Sequence, residues 1–237
     1  MPELPEVETI VRYLAPRLRG KRIMKIATDT PRLFRDYKNP RTVIQKIEGA
    51  TVQDVSRRGK NIVFRLSRPV RSKPPQAAAD SPSAKRTSNG ASGQYFLIHL
   101  MMSGRLRLNP RESSPHDRLT IFLSGDNKLV FNDARKFGCC RLLDSLDGVS
   151  GREPLDISLA DFKAALFKRK GAIKPLLLNQ KVIGGIGNIY ADEMLWHAGI
   201  HPLRKVSELD DARVRSLRIA MRNVLAEGIR KGGTSMR

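Results

Sequence analysis

Met1-Pro2-Glu3-Leu4-Pro5-Glu6-Val7-Glu8 opens the chain, and the residues that follow it define the first element of the fold. Pro5 suits the first turn of a helix, where its missing N–H costs nothing, and Glu6 and Glu8 suit the positive end of a helix dipole. Val7, Ile10, Val11, Leu14 and Leu18 recur at helical spacing, which predicts a helix with one buried stripe and a kink before Pro16. That reading needs no chemistry. The same residues also carry a chemical one. A small second residue favours removal of Met1, and excision leaves Pro2 with a free secondary amine whose pKa near neutrality keeps a useful fraction nucleophilic. Such an amine can attack a sugar carbon and form an iminium, with the Glu3 carboxyl moving protons beside it. While Met1 remains, the Pro2 nitrogen is an amide and cannot act.

Outward from this start, the chain of 237 residues has room for two domains and, at 40% hydrophobic residues, for a sizeable core. Its formal charge of +21, from 44 basic and 23 acidic residues, makes nucleic acid the leading partner, since phosphate contacts dominate nucleic-acid affinity. The charge alone names a partner class and no activity, and an anionic membrane would feel it too. No apolar run approaches the ~20 residues of a membrane span, and the acidic N-terminus is unlike a secretory signal. An intracellular, monomeric protein without membrane contact is expected. Cys139 and Cys140 are the only cysteines. Adjacent cysteines neither bridge each other readily nor complete a metal site, so packing residues in a strand are expected, with no disulfide, metal or cofactor.

Short β-branched or alternating runs at Arg22–Ile26, Thr51–Ser56, Asn61–Leu66, Tyr95–Leu100, Arg105–Leu108, Leu119–Leu123, Lys128–Asn132 and Cys140–Leu143 predict an antiparallel sandwich or flattened barrel. Arg68–Gly93, rich in Pro, Ser, Ala and Gly, reads as a mobile insertion. From Ser158 the pattern turns helical, with apolar positions at Leu159, Phe162, Ala165 and Leu166, then Leu176–Leu178, Asn188–Ala198, and a face of Leu217, Met221, Val224, Leu225 and Ile229. The fold class is therefore α+β in two domains: a helix and antiparallel β-sandwich over 1–150, then a helical domain over 151–237. Gly184-Gly185-Ile186-Gly187 precedes a helix beginning near Ile189, whose free N–H groups could receive a phosphate.

MPELPEVE resembles the opening of the formamidopyrimidine-DNA glycosylases, the oxidised-purine branch of the Fpg/endonuclease VIII family, and Leu4 and Val7 look like that branch. Arg57-Arg58-Gly59-Lys60, His99-Leu100-Met101-Met102-Ser103-Gly104, Asp133-Ala134-Arg135-Lys136-Phe137-Gly138 and Gly184 to Ala191 are similar to further family motifs and stand in family order. The resemblance implies a bifunctional DNA glycosylase and abasic-site lyase of base excision repair, acting on 8-oxoguanine and formamidopyrimidines in damaged duplex DNA. Pro2 would form the Schiff base, Glu3 would shuttle protons, Glu6 would support it, and Lys60 would contact the phosphate backbone and assist β-elimination, with a second elimination following. Met102, Arg135 and Phe137 match the family's void-filling trio. Read from residues alone, Met102 and Phe137 would be core, but Ser103-Gly104 and Gly138 look like exposed turn residues. His116, Arg135 and Arg169 match DNA-contact positions, and His99 and Lys174 match residues near the phosphates. Asn188 and Tyr190 belong to the helix–two-turns–helix element that grips the damaged strand.

Family members continue beyond the segment matching Gly232–Arg237 into a lesion-capping loop and a zinc finger or zincless equivalent, neither of which lies within these 237 residues. Two other readings stay open at this point. One keeps the Pro2 chemistry but acts mainly on abasic sites. The other is a non-catalytic nucleic-acid-binding protein in which Pro2 is inert.

Overall fold

The computed structural model describes residues 1–67 and 93–234. The insertion read over Arg68–Gly93 lies outside the described residues except for Gly93 itself. Helix α1 runs Leu4–Leu18, and its stripe of Val7, Ile10, Val11, Leu14 and Leu18 is buried. It continues through Pro16; the carbonyl deprived of a partner by that proline belongs to exposed Arg12, where water can take it.

Eight strands follow: β1 (Ile23–Thr28), β2 (Val52–Arg58), β3 (Asn61–Leu66), β4 (Gln94–His99), β5 (Arg105–Leu108), β6 (Asp117–Leu123), β7 (Asn127–Asn132) and β8 (Cys139–Leu143). They form two four-stranded antiparallel sheets, ordered β1-β6-β7-β5 and β2-β3-β4-β8. Inward-facing residues of both, among them Ile26, Ile121 and Phe131 from one and Val55, Phe64 and Ile98 from the other, make a common core with the buried face of α1. This is the expected sandwich. Between β1 and β2 lies an unanticipated helix, α2 (Pro40–Ile47), capped by the Asn39 side chain, which accepts from the Arg41 N–H at 3.0 Å. Cys139 and Cys140 are free, buried strand residues, and burial pushes both thiols up.

Helices α3 (Leu159–Phe167), α4 (Ile173–Leu178), α5 (Asn188–His197) and α6 (Asp211–Arg230) surround a second core that includes Phe162, Leu177, Met194, Leu217 and Met221. Leu4 belongs to this helical core, whereas Val7, one turn later, belongs to the sandwich core. A single helix is thus rooted in both. Among the described residues, no helix is long and apolar enough to cross a membrane.

Arg57 strengthens the same junction. Its Nε lies 3.0 Å from Glu8 Oε2 and its Nη2 2.8 Å from Glu153 Oε2, while Nη1 donates to the Gly59 carbonyl at 3.1 Å. Helix α1, the β2–β3 turn and the segment entering the helical region therefore meet on one largely buried guanidinium. Buried ion pairs contribute little net stability, but removing one member leaves an uncompensated charge, so this cluster sets geometry.

Leu14 sits fully inside the sandwich core, so Leu14→Ala should cost about 2–5 kcal/mol through lost burial and a residual cavity. Urea unfolding of the two proteins measures this, and a loss below about 1 kcal/mol would show that α1 is not anchored there.

Candidate active site

The N-terminal end is fixed by residues from far along the chain. Glu3 is only 4% exposed, and its carboxylate accepts from three backbone N–H groups at the start of α5: Gly187 at 2.7 Å, Ile189 at 3.0 Å and Tyr190 at 3.3 Å. The Leu4 N–H donates to the Gly185 carbonyl at 2.9 Å. The amides expected to hold a phosphate thus hold Glu3, an anion that the positive end of the helix dipole favours. This explains the glycines. A Cβ on Gly187 would lie 2.2 Å from Glu3 Cδ, one on Gly184 would strike Ser150 Oγ, and Gly185 adopts φ +91° against the Leu4 side chain.

Glu6, 1% exposed, lies one turn further along α1. Its Oε2 accepts from the Glu3 N–H at 2.9 Å, while Oε1 accepts from the Tyr190 hydroxyl at 3.2 Å and the Thr234 N–H at 2.8 Å. Tyr190, expected among the DNA-facing residues, is instead buried, and burial together with Glu6 pushes its phenol up. It holds a carboxylate in place and presents no side chain to a ligand. Lys60 completes the group. The β2–β3 connection is a two-residue turn, Gly59-Lys60, in which Gly59 takes φ +57° and turns the chain so that Lys60 is buried at 5% exposure. Desolvation lowers the Lys60 pKa, opposed by the nearby charges of Glu3 and Glu6.

His99 ends β4 directly opposite Asn61, the residue after Lys60. Its Nδ1 accepts from the Met101 N–H at 3.0 Å, so the neutral ring carries its proton on Nε2. Burial, with the charges of Lys60, Arg141 and Arg35, lowers its pKa to about 4.

The void-filling candidates stand on two adjoining turns. Met102 is 49% exposed on the turn after β4, and Arg135 is exposed between β7 and β8, its guanidinium 5.0 Å from the centre of the half-buried Phe137 ring. Met101 at φ +53° and Lys136 at φ +56° hold left-handed backbone without being glycine, one on each turn. Gly104 and Gly138, expected to be exposed, are buried: a Cβ on either would meet the Phe131 ring within 2.6 Å. The turns therefore clasp one core phenylalanine. Asp133, not singled out from the sequence, is fully buried between them and accepts from the Ser103 hydroxyl, from the Arg135 N–H at 3.2 Å and from the Gly138 N–H at 2.8 Å. Its own N–H donates to the carbonyl of exposed His116 at 2.8 Å.

The remaining candidates are more scattered. Asn188 is exposed on the first turn of α5. Lys174 is half-buried and paired with Asp192 at 2.8 Å. Arg169 joins Arg58, Arg152, Lys168 and Lys181 around a groove of about 700 Å³ where the sandwich meets the helices, and nothing in its sequence context signals those partners. A cavity of about 880 Å³ beside exposed Trp196 contains none of the candidate residues.

The His99 shift has a definite sign. Its folded pKa lies near 4 and its ordinary value is 6.5, so the stability it contributes is fully present above pH 6.5 and is lost as pH falls through about 4. His99→Gln should flatten the fall in unfolding free energy across that window, measured by urea titration at several pH values. An unchanged slope would place the acid sensitivity elsewhere.

Comparison with known proteins places the whole chain in one family. The family model for the formamidopyrimidine-DNA glycosylase N-terminal domain matches residues 1–140, and the one for the formamidopyrimidine-DNA glycosylase H2TH domain matches residues 151–237. The formamidopyrimidine-DNA glycosylase of Deinococcus radiodurans is 39% identical over 245 residues, spanning 100% of this chain and 78% of that protein. That of Chloroflexus aurantiacus is 38% identical over 248 residues, with 100% and 80% covered. A solved complex of Lactococcus lactis Fpg with abasic-site DNA superimposes with a TM-score of 0.80 at 32% identity, covering 99% of this chain and 81% of the other. MutM in complex with DNA containing carbocyclic 8-oxo-G gives 0.81 at 31% identity, with 100% and 82% covered. The chain belongs to the formamidopyrimidine-DNA glycosylase family, the DNA glycosylases of DNA repair.

Proposed function

We propose that this protein excises oxidised purines, 8-oxoguanine and formamidopyrimidines, from damaged duplex DNA and then cleaves the strand, with Pro2 as nucleophile. The observation that carries the reading is that Glu3 and Glu6, in the segment that begins with Pro2, are buried together with Lys60 from the β2–β3 turn and held by the amides at the start of α5, both far away in sequence. Buried charges are costly unless paired and hydrogen-bonded, and such clusters mark sites where proton positions matter.

After Met1 is removed, the Pro2 lone pair attacks C1′ and the glycosidic C–N bond breaks, its electron pair leaving with the base, which takes up a proton. Opening of the C1′–O4′ bond, with a proton to O4′, gives the iminium. Glu3 lies next in the chain to the reacting nitrogen and serves as the proton carrier, while Glu6, bonded to the Glu3 N–H, sets the backbone angle at Pro2. The iminium acidifies C2′, loss of that proton expels the 3′ phosphate, a second elimination expels the 5′ phosphate, and water then hydrolyses the iminium, releasing the sugar remnant as an aldehyde and freeing Pro2. Lys60 supplies positive charge towards the departing phosphate. His99, neutral with its N–H on Nε2, offers a hydrogen bond without competing charge.

An everted base leaves a gap that the duplex must fill. Met102, Arg135 and Phe137, carried on two joined turns, are suited to it. The net charge of +21 supplies attraction to the phosphate backbone, with Arg169 and its four cationic neighbours offering a local track. In this reading residues 1–150 form the catalytic domain and 151–237 the helix–two-turns–helix domain.

Borohydride trapping tests the chemistry on two duplexes, one bearing 8-oxoguanine and one an abasic site. Protein freed of Met1 should give a covalent adduct with both, and an N-terminal extension that blocks the amine should abolish both. Strand cleavage unchanged by the extension would remove Pro2 from the mechanism. An adduct with the abasic duplex alone would overturn base excision and leave a lyase.

A further inference from the structure

Asp133 has no part in the chemistry at Pro2, yet every contact of its side chain runs to the two turns that carry the exposed wedge residues. The Ser103 hydroxyl donates to Oδ1, tying in the turn that carries Met102. The Arg135 N–H donates to the same oxygen at 3.2 Å and the Gly138 N–H to Oδ2 at 2.8 Å, closing the turn that carries Arg135 and Phe137. Its backbone binds further groups: the N–H reaches the His116 carbonyl at 2.8 Å, and the carbonyl accepts from Arg118 Nε at 3.0 Å. A fully buried carboxyl group is costly unless its oxygens are satisfied, and here both are satisfied by donors from separate turns. Neither turn could hold its left-handed residue, Met101 or Lys136, as firmly without an external constraint, because such backbone is disfavoured for side chains with a Cβ.

We propose that Asp133 is a positioning residue that locks the Met102 turn and the Arg135–Phe137 turn into one unit, so that the wedge enters the duplex as a whole. This rests on the reading that Met102, Arg135 and Phe137 fill the gap left by an everted base. Asp133 touches no reacting atom. Its effect is confined to substrates whose base must be driven out of a stack. An abasic site in a single strand has no base to evict and no partner strand to support, so its cleavage bypasses the lock.

The test is a double-mutant cycle on the whole protein with Met1 removed. Asp133→Asn risks misfolding, so the informative change is Ser103→Ala, which cuts one tie and leaves Asp133 bonded to Arg135 and Gly138. Excision of 8-oxoguanine from duplex DNA, fluorescence of a 2-aminopurine beside the lesion, cleavage of a single-stranded abasic oligonucleotide and thermal melting are measured for the wild type, Ser103→Ala, Met102→Ala and the pair. Ser103→Ala should lower duplex excision about tenfold, the scale of one hydrogen bond to a charged group, and weaken the fluorescence rise. Single-strand cleavage should stay at the wild-type level, and the melting midpoint should fall only by the few degrees that one lost hydrogen bond costs. In the Met102→Ala background, Ser103→Ala should add nothing, because the turn that Ser103 ties then carries no wedge side chain, while Arg135 and Gly138 still bind Asp133.

Full additivity of the two changes, wild-type duplex excision by Ser103→Ala, or an equal fall in single-strand cleavage would each overturn the lock while leaving the wedge reading intact. Wild-type excision and fluorescence from Met102→Ala would overturn the wedge reading itself and the lock with it.

Discussion

The contact on which the site depends is the Glu3 carboxylate received by the first amides of α5. Three backbone donors and the positive end of a helix dipole make a buried anion tolerable there, and charge-assisted bonds of this kind are each stronger than neutral ones. The consequence is topological. Residue 3 is joined to residues 187–190, so the beginning of the chain becomes an interior, oriented element of the helical region, while α1 carries the same segment into the sandwich core. Chain ends are ordinarily frayed unless tied down. Here the tie is polar, specific and adjacent in the chain to the Pro2 nitrogen.

The rest of the site divides by exposure. Glu3, Glu6 and Asp133 are buried and hydrogen-bonded and Lys60 is buried beside the first two, whereas Met102, His116, Arg135 and Asn188 are exposed. Groups whose charge state or angle matters are held where water does not compete, and groups suited to meeting a large polyanion stand at the surface. Glu6 links the start of α1 to distant segments, since it binds Glu3 through one oxygen and Tyr190 with Thr234 through the other.

The eight strands are legible in the sequence because alternating β-branched runs are bounded by turn residues, and the α1 stripe is legible because five apolar residues keep one helical face. Helix α2 is not, since it is only eight residues long and buries only Val43 and Ile47. At the site, residue types are readable but partners are not. The glycines before α5 look like a phosphate cradle because free amides at a helix start bind any anion, and nothing local reveals that the anion is Glu3, 184 residues earlier than Gly187. Tyr190 looks like a surface contact until Glu6 and Gly228 are seen to enclose it. Gly104 and Gly138 read as loop tips, whereas their missing side chains make room for Phe131. Asp133 is unremarkable in sequence because Ser103 and His116, its distant partners, meet it only through strand pairing.

Two nitrogens could in principle form the covalent link to DNA: the Pro2 amine and the buried Lys60 amine, whose pKa desolvation lowers. Proteolysis of the borohydride-reduced protein–DNA adduct, followed by mass spectrometry of the nucleotide-bearing peptide, distinguishes them directly. The sugar remnant should reside on the peptide that begins at Pro2, with Met1 absent. Its recovery on the Lys60 peptide, or on a peptide that retains Met1, would contradict the assignment of the nucleophile.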